Sequence, residues 1–384
     1  MYYATIIVEQ VKHYSKRFYE LAREKARKEG LDLTIIYGDG YREEKEKRDA
    51  LDIPWGIKIK NKYWTIGSNV LCWQPCLGRV KNADLIIMDQ GNKYLANYVL
   101  IVKRLLFGKP NLAYWGHGKN FQSEHPNGTK EKIKKRLICH VDWWFAYNDM
   151  TVSIVQEAGF PSDRITNMHN SIDTRGVIEA KSALRDDELQ QLKEQLAIQE
   201  GPVGIFCGSM YDKKRLPFLL KACLTIRKSV PNFQMICIGD GPDRQRIENA
   251  ASECDWIKCV GMKNNVEKVK YFALADVFLM PGAVGLAVLD SFALKVPMIT
   301  THYPYHGPEI AYLHDGINGL IVEDTVEGYS RAVIDILKDK VRYSRLVDGC
   351  SKSAALFSVE SMADNFIDGL SHCLEYVKRK RGKK

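Results

Sequence analysis

The stretch Val277-Phe278-Leu279-Met280-Pro281-Gly282-Ala283-Val284-Gly285-Leu286-Ala287-Val288-Leu289-Asp290-Ser291-Phe292-Ala293 carries the pattern that decides the fold. Its first four residues form an unbroken apolar run, as a strand buried on both faces of a parallel sheet requires. Pro281 and Gly282 stop that strand, Gly285 spaces a loop, and the apolar run from Ala287 opens a helix. A strand, a glycine-spaced loop and a helix place free helix N–H groups at the strand's carboxyl end, where they attract an anion. Asp290 falls about a turn inside, among Leu289, Phe292 and Ala293. A carboxylate is costly to bury there without a partner, so a ligand hydroxyl is its expected partner.

The same alternation runs outward through both halves of the chain. Strand-like runs are read at 4–8, 33–37, 85–89, 112–115 and 143–147, then at 203–207, 234–239, 256–260, 277–280, 298–301 and 319–322. Two tandem sets of buried strands separated by helical patterns predict an α/β protein of two doubly wound, Rossmann-like domains. At 384 residues the chain exceeds what one core usually supports. The break falls in 172–201, which contains a charged, strongly helical stretch at 180–199. The expected division is 1–175 against 176–357, with the linker 176–200 in the second domain. Met362, Phe366, Leu370 and Cys373 form a stripe at helical spacing, so the helix at about 358–384 is expected to return to the first domain.

Composition narrows the function classes. No apolar run is long enough to span a bilayer, and the amino terminus leads straight into a strand-like run, so a cytoplasmic protein is expected. The ten cysteines sit mostly alone in apolar runs and read as reduced core residues. Cys72 and Cys76 are the closest pair, and no second pair follows at zinc-site spacing. The net charge of +9 implies an anionic partner. Clusters at Lys130–Arg136 and in the tail Lys378–Lys384 point to peripheral contact with an anionic membrane. No RNA-recognition or zinc-module signature is present, and nucleic acid is not an expected partner.

Two further loops at strand ends have phosphate-binding character. Gly208-Ser209-Met210-Tyr211-Asp212-Lys213-Lys214-Arg215 places three consecutive cations near a helix start. Gly239-Asp240-Gly241-Pro242 reads as a tight turn.

Taken in order, the segment from Gly208 to Lys214, Gly239-Asp240-Gly241-Pro242, 275–281, 290–299, Pro308-Glu309-Ile310 and 315–322 resemble retaining glycosyltransferases of family 4, strongly over about 200–340. The first half resembles the acceptor domain of that family more loosely, through 114–120, 157–161 and 170–173. The resemblance implies a GT-B fold, two Rossmann-like domains facing a central cleft. It implies a retaining, metal-independent transfer of a sugar from a UDP- or GDP-linked donor to a glycan or lipid-linked acceptor, with no cofactor. Lys214 matches the lysine that meets the leaving diphosphate, with Arg215 or Lys213 supplying what Ser209 lacks. His117 matches the histidine near the transferred sugar, and Asp290 the carboxylate on the ribose. Gly208, Ser209, Gly282, Val284, Gly285, Leu286 and Glu309 line the donor, and the backbone at Val260-Gly261 meets the base. Three positions depart from the family pattern: Ser209 stands where arginine is usual, Gly282 where a glutamate is usual, and Glu9-Gln10 where a glycine pair often follows the first strand. The first two leave open a non-catalytic GT-B scaffold, and a nucleotide-sugar epimerase of the same fold is a further alternative.

Overall fold

The structure, a computed structural model, describes residues 1–41, 50–67, 69–119 and 135–382. Lys130–Lys134 and Asn120 lie outside them. The chain divides into two compact units, Met1–Asp173 with Ser358–Lys384, and Thr174–Phe357.

In the first unit, β1 (Tyr2–Ile7), β2 (Leu31–Tyr37) and β3 (Ile57–Lys58) step outward in one direction. A hairpin of β4 (Lys62–Ile66) and β5 (Asn69–Trp73) follows. The chain then returns to the other side of β1 with β6 (Leu85–Asp89), β7 (Leu112–Gly116), β8 (Trp143–Ala146) and β9 (Ile165–Asn167). The sheet order is β3-β2-β1-β6-β7-β8-β9, parallel throughout. The order reverses between β1 and β6, which is where an open α/β sheet leaves a crevice for ligand.

One face of this sheet is covered by the helices Lys16–Lys28 and Val359–Gly382. Phe18, Leu21 and Ala22 of the first meet Met362, Phe366, Leu370 and Cys373 of the second in one buried cluster. Phe366 packs edge-on against Phe18 at 5.5 Å and tilted against Phe145 at 4.9 Å. Full burial of such a ring contributes about 2–3 kcal/mol, so the last helix is part of this core rather than an appendage.

In the second unit, β10 (Val203–Cys207), β11 (Gln234–Ile238) and β12 (Ile257–Gly261) step one way; β13 (Val277–Leu279), β14 (Met298–Thr301) and β15 (Gly319–Val322) step the other. The order β12-β11-β10-β13-β14-β15 is the doubly wound one, parallel throughout, with its switch point between β10 and β13. The fold is therefore α/β with two Rossmann-like halves. The helical stretch expected at 180–199 is two helices, Arg175–Ala183 and Asp186–Gln195, separated where Leu184 and Arg185 turn extended. Glu188 accepts from the Arg185 N–H and starts the second. All ten cysteines are free thiols, and no described helix is long and apolar enough to cross a membrane.

Candidate active site

Four loops converge at the switch point of the second unit. After β10, Met210 donates its N–H to Asp240 (2.8 Å) and accepts from Asp243, binding the first loop to the turn after β11. Gly239 has φ +146°, and a Cβ there would stand 1.9 Å from the Gly208 carbonyl oxygen. The Gly239–Pro242 turn is thus a packing requirement. After β13, the Ala283 N–H donates to the Lys213 carbonyl at 2.8 Å, and a Cβ on Gly282 would meet that oxygen at 2.3 Å. Gly282 is glycine because the backbone of 213–214 fills the place of its side chain.

This crossing buries Lys214. Its Nζ donates to the Ala283 carbonyl, and its aliphatic stem is enclosed. Burial lowers its pKa to about 8, opposed by the charge of Glu309. Glu309 opens the short helix Pro308–Tyr312 and is itself buried; burial raises its carboxyl, with Lys214 acting in the other direction. A buried cation and a buried acid, each pushed toward neutrality, mark a place prepared for a charged ligand.

Arg215 is held by contacts within the second unit. It adopts a left-handed conformation (φ 56°), and its guanidinium pairs with Asp324, lies on the Phe218 and Tyr303 rings and reaches Thr301 Oγ1. Those contacts fix the start of helix Leu216–Ser229 to the end of β14. Ser209 itself is exposed. Arg215→Ala is accordingly expected to lower stability by about 1–3 kcal/mol, since it strands Asp324, and to change turnover less than it changes the melting temperature. Parallel thermal melts and rate measurements decide this.

The loop 282–286 is clamped by His306, a residue with no motif around it. Its Nδ1 accepts the Val284 N–H at 3.0 Å and its Nε2 donates to the Thr301 carbonyl at 2.9 Å. Burial lowers the His306 pKa, so the ring is neutral with its proton on Nε2. The Val284 carbonyl accepts from Gly307, leaving Val284 a structural tie rather than a free donor. Beyond it the N–H groups of Gly285, Leu286 and Ala287 find no backbone acceptor among the described residues. They form the positive end of helix Ala287–Leu294.

Asp290 corrects the expectation that its carboxylate lacks a protein partner. Oδ2 accepts from Lys268 Nζ at 2.7 Å, and both side chains are 8% exposed. Oδ1 is buried with no hydrogen-bond partner among the described residues. One oxygen is anchored and the other remains for a donor. Lys268, on helix Glu267–Phe272, was hidden among the lysines of 258–270. Beside them, burial and the Asp290 charge push the Cys207 thiol up to about 12, so it is not a nucleophile at neutral pH. Gly261 ends β12, its carbonyl accepting from Gly239 N–H at 3.0 Å, and Val260 lies on the same strand end.

In the first unit, His117 follows β7 and packs edge-on against Tyr147 at 4.0 Å. Gln90 holds this loop with both ends of its amide, accepting from the Gly118 N–H at 3.0 Å and donating to the Gly118 carbonyl. Where the resembled family often has a glycine pair, Glu9 is buried and accepts from Lys93, Tyr94 and Tyr63. Asn61 adds a bond to the Glu9 carbonyl, so this network ties the hairpin region to the switch point between β1 and β6.

Comparison with known proteins follows this geometry. Residues 201–339 match the model of the family described as "Glycosyl transferases group 1". Over 154 residues the chain is 29% identical to the alpha-monoglucosyldiacylglycerol synthase of Acholeplasma laidlawii, covering 38% of each protein. It is 25% identical over 196 residues to the GDP-mannose-dependent alpha-(1-6)-phosphatidylinositol monomannoside mannosyltransferase of Mycolicibacterium smegmatis, covering 47% of this chain and 49% of that one. The chain thus matches less than half the length of these two relatives. Among solved structures, a glycosyltransferase from Rickettsia africae aligns with a TM-score of 0.69 at 13% identity, over 98% of this chain and 99% of that chain. HepE of Anabaena, solved in complex with UDP, aligns with a TM-score of 0.67 at 14% identity, over 97% and 100%. The fold is that of the GT-B glycosyltransferases.

Proposed function

From the match of residues 201–339 to the glycosyl transferases group 1 model we propose that the protein moves a sugar from a UDP- or GDP-linked donor to a glycan or lipid-linked acceptor. The reading includes retention of anomeric configuration, no metal ion on the diphosphate, and peripheral contact with an anionic membrane. The observation that carries it is Lys214, a buried cation enclosed by the loops of a switch point and lowered to about 8. Cleaving a sugar–diphosphate bond leaves negative charge on the departing oxygen, and a preorganised cation in a desolvated place lowers that barrier. The N–H groups of Gly285, Leu286 and Ala287 add a helix terminus for the same charge. Asp290 Oδ1 is available to a ribose hydroxyl, and Glu309 to a hydroxyl of the sugar. His117 is assigned to the transferred sugar. The two curated relatives are named for alpha-linked products or alpha linkage formation, which supports retention.

The test is release of nucleoside diphosphate from a panel of UDP- and GDP-sugars, with glycan and diacylglycerol acceptors. UDP or GDP at about a hundred times its Kd stabilises the folded state by about 2.7 kcal/mol, so the correct nucleotide is identified by its thermal shift. A folded protein that shifts with neither nucleotide and releases none ends the proposal.

A pH dependence follows from Lys214. The donor-free protein holds its cation only below about pH 8, so kcat/KM is expected to fall by about tenfold per pH unit above that value. A bound diphosphate stabilises the charged form, so the corresponding limb of kcat lies at higher pH. Coincident limbs in kcat and kcat/KM would show that Lys214 does not meet the diphosphate.

A further inference from the structure

We propose that the first unit docks on an anionic lipid surface through the carboxyl-terminal end of helix Leu95–Phe107. The proposal deepens the membrane part of the function above and does not depend on the donor. Ala96, Leu100 and Ile101 are buried in this helix, as its place against the sheet requires. Its last turns do the opposite: Val102, Leu105, Leu106 and Phe107 are 51%, 60%, 69% and 75% exposed. Four large apolar side chains left together in water are a recognition surface rather than scattered exposure.

The surrounding charge selects the occupant. From Gln90 to Lys119 there is no acidic residue, while Lys93, Lys103, Arg104, Lys109 and Lys119 are basic. Lys103 and Lys109 are exposed beside the apolar quartet. Apolar groups flanked by lysines on a helix end match the acyl boundary and phosphate layer of an anionic bilayer. A protein partner of this chain's own charge is disfavoured by the same lysines.

The helix end is also rigidly held. Arg104 makes two bonds to Asp142, at 3.0 and 2.6 Å, and Lys380 of the last helix makes a third at 2.8 Å. Although burial raises it, the Asp142 carboxyl is held below its usual range by Arg104 and Lys380. Lys380 therefore serves an internal ion cluster, and Arg379 faces Glu375, so the tail is only partly the free cationic patch read from sequence. At the amino-terminal end of β1 Tyr3 is 47% exposed; its N–H donates to Asp84, whose carbonyl accepts from Asn111 just beyond the helix.

The test uses the full chain and vesicles of phosphatidylcholine alone or in equal mixture with phosphatidylglycerol, read by co-sedimentation. Binding to the mixed vesicles, abolished at high salt, with Leu106→Glu and Phe107→Glu each weakening it about tenfold or more, is the expected result. Both variants are expected to keep the nucleotide-induced thermal shift and the rate on a water-soluble acceptor, because neither residue belongs to the candidate active site. Unchanged vesicle binding by both variants overturns the proposal. So does equal binding to neutral vesicles, or a wild-type dimer that these substitutions convert to monomer with no change in vesicle binding, since a second copy then covers the patch.

Discussion

Replacing Lys214 by methionine is expected to reduce turnover about a hundredfold or more while leaving the protein as stable as before, or more so, at neutral pH. The rate effect follows from the chemistry: a donor that stabilises the departing charge acts mainly in the transition state, and losing one typically costs on the order of a hundredfold to a thousandfold. The stability effect follows from burial. An unfolded lysine keeps its proton to about 10.5, whereas Lys214 in the fold gives it up at about 8. Holding the charge at pH 7 therefore costs on the order of 3 kcal/mol. Methionine keeps the aliphatic packing and forfeits the charged bond to the Ala283 carbonyl, worth about 1.5–3 kcal/mol. Relief of the charge at least offsets that loss. The sign with pH is definite: the variant's advantage is full below pH 8 and fades as pH rises toward 10.5, because the native wild type sheds its proton in that window. Thermal melts across pH 6–10 beside steady-state rates check both halves. A stable Lys214→Met protein with near-normal turnover would remove the central support for the proposed function.

The second large effect concerns Asp290 and Lys268. Lys268→Met leaves Asp290 buried with neither oxygen paired, and stranding one member of a buried ion pair costs about 3–5 kcal/mol. For a unit of this size that is a fall in melting temperature of roughly 10 °C. The double variant Lys268→Met with Asp290→Leu fills the same space without charge and is expected to regain most of the loss. It is not expected to regain nucleotide affinity, because Asp290 Oδ1 is gone. Calorimetry and nucleotide titration on the two variants separate the roles. Wild-type nucleotide affinity in the stable double variant would sink the ribose assignment; an unchanged melting temperature in the single variant would sink the ion pair.

These residues also show where the sequence is readable. All eleven anticipated strands are present within about two residues of their expected ends, because each is an apolar run buried by helices on either side. The hairpin β4–β5 was missed because its outer strand turns Trp64 and Ile66 to solvent, erasing the alternation that marks a half-buried strand. β3 and β9 are too short, at two and three residues, to carry any period. In the site, features set by neighbouring residues were legible: the glycine-spaced loop, the helix start and the lysine after the first loop. Lys268 on Asp290, His306 on Val284 and Gln90 on Gly118 join residues 22 to 28 positions apart, and no local pattern announces such pairings. The pairing of Arg215 with Asp324, reached from a left-handed backbone, is likewise a direction that composition does not encode.

The crossing at Gly282 has a bearing on descent. The carboxylate usual at this position in the resembled family has no room here, since the Lys213 carbonyl would lie 2.3 Å from its first side-chain atom. Reinstating it takes a displacement of the whole 213–214 main chain as well as a codon change, and every intermediate with only one of the two carries a clash or a void. Glycine at 282 and the course of the 213–214 main chain are thus coupled. On the proposed function, discrimination between sugars then falls to other side chains, and Glu309, whose Oε2 would lie 2.6 Å from a Cβ placed on Gly307, is the position where it is expected.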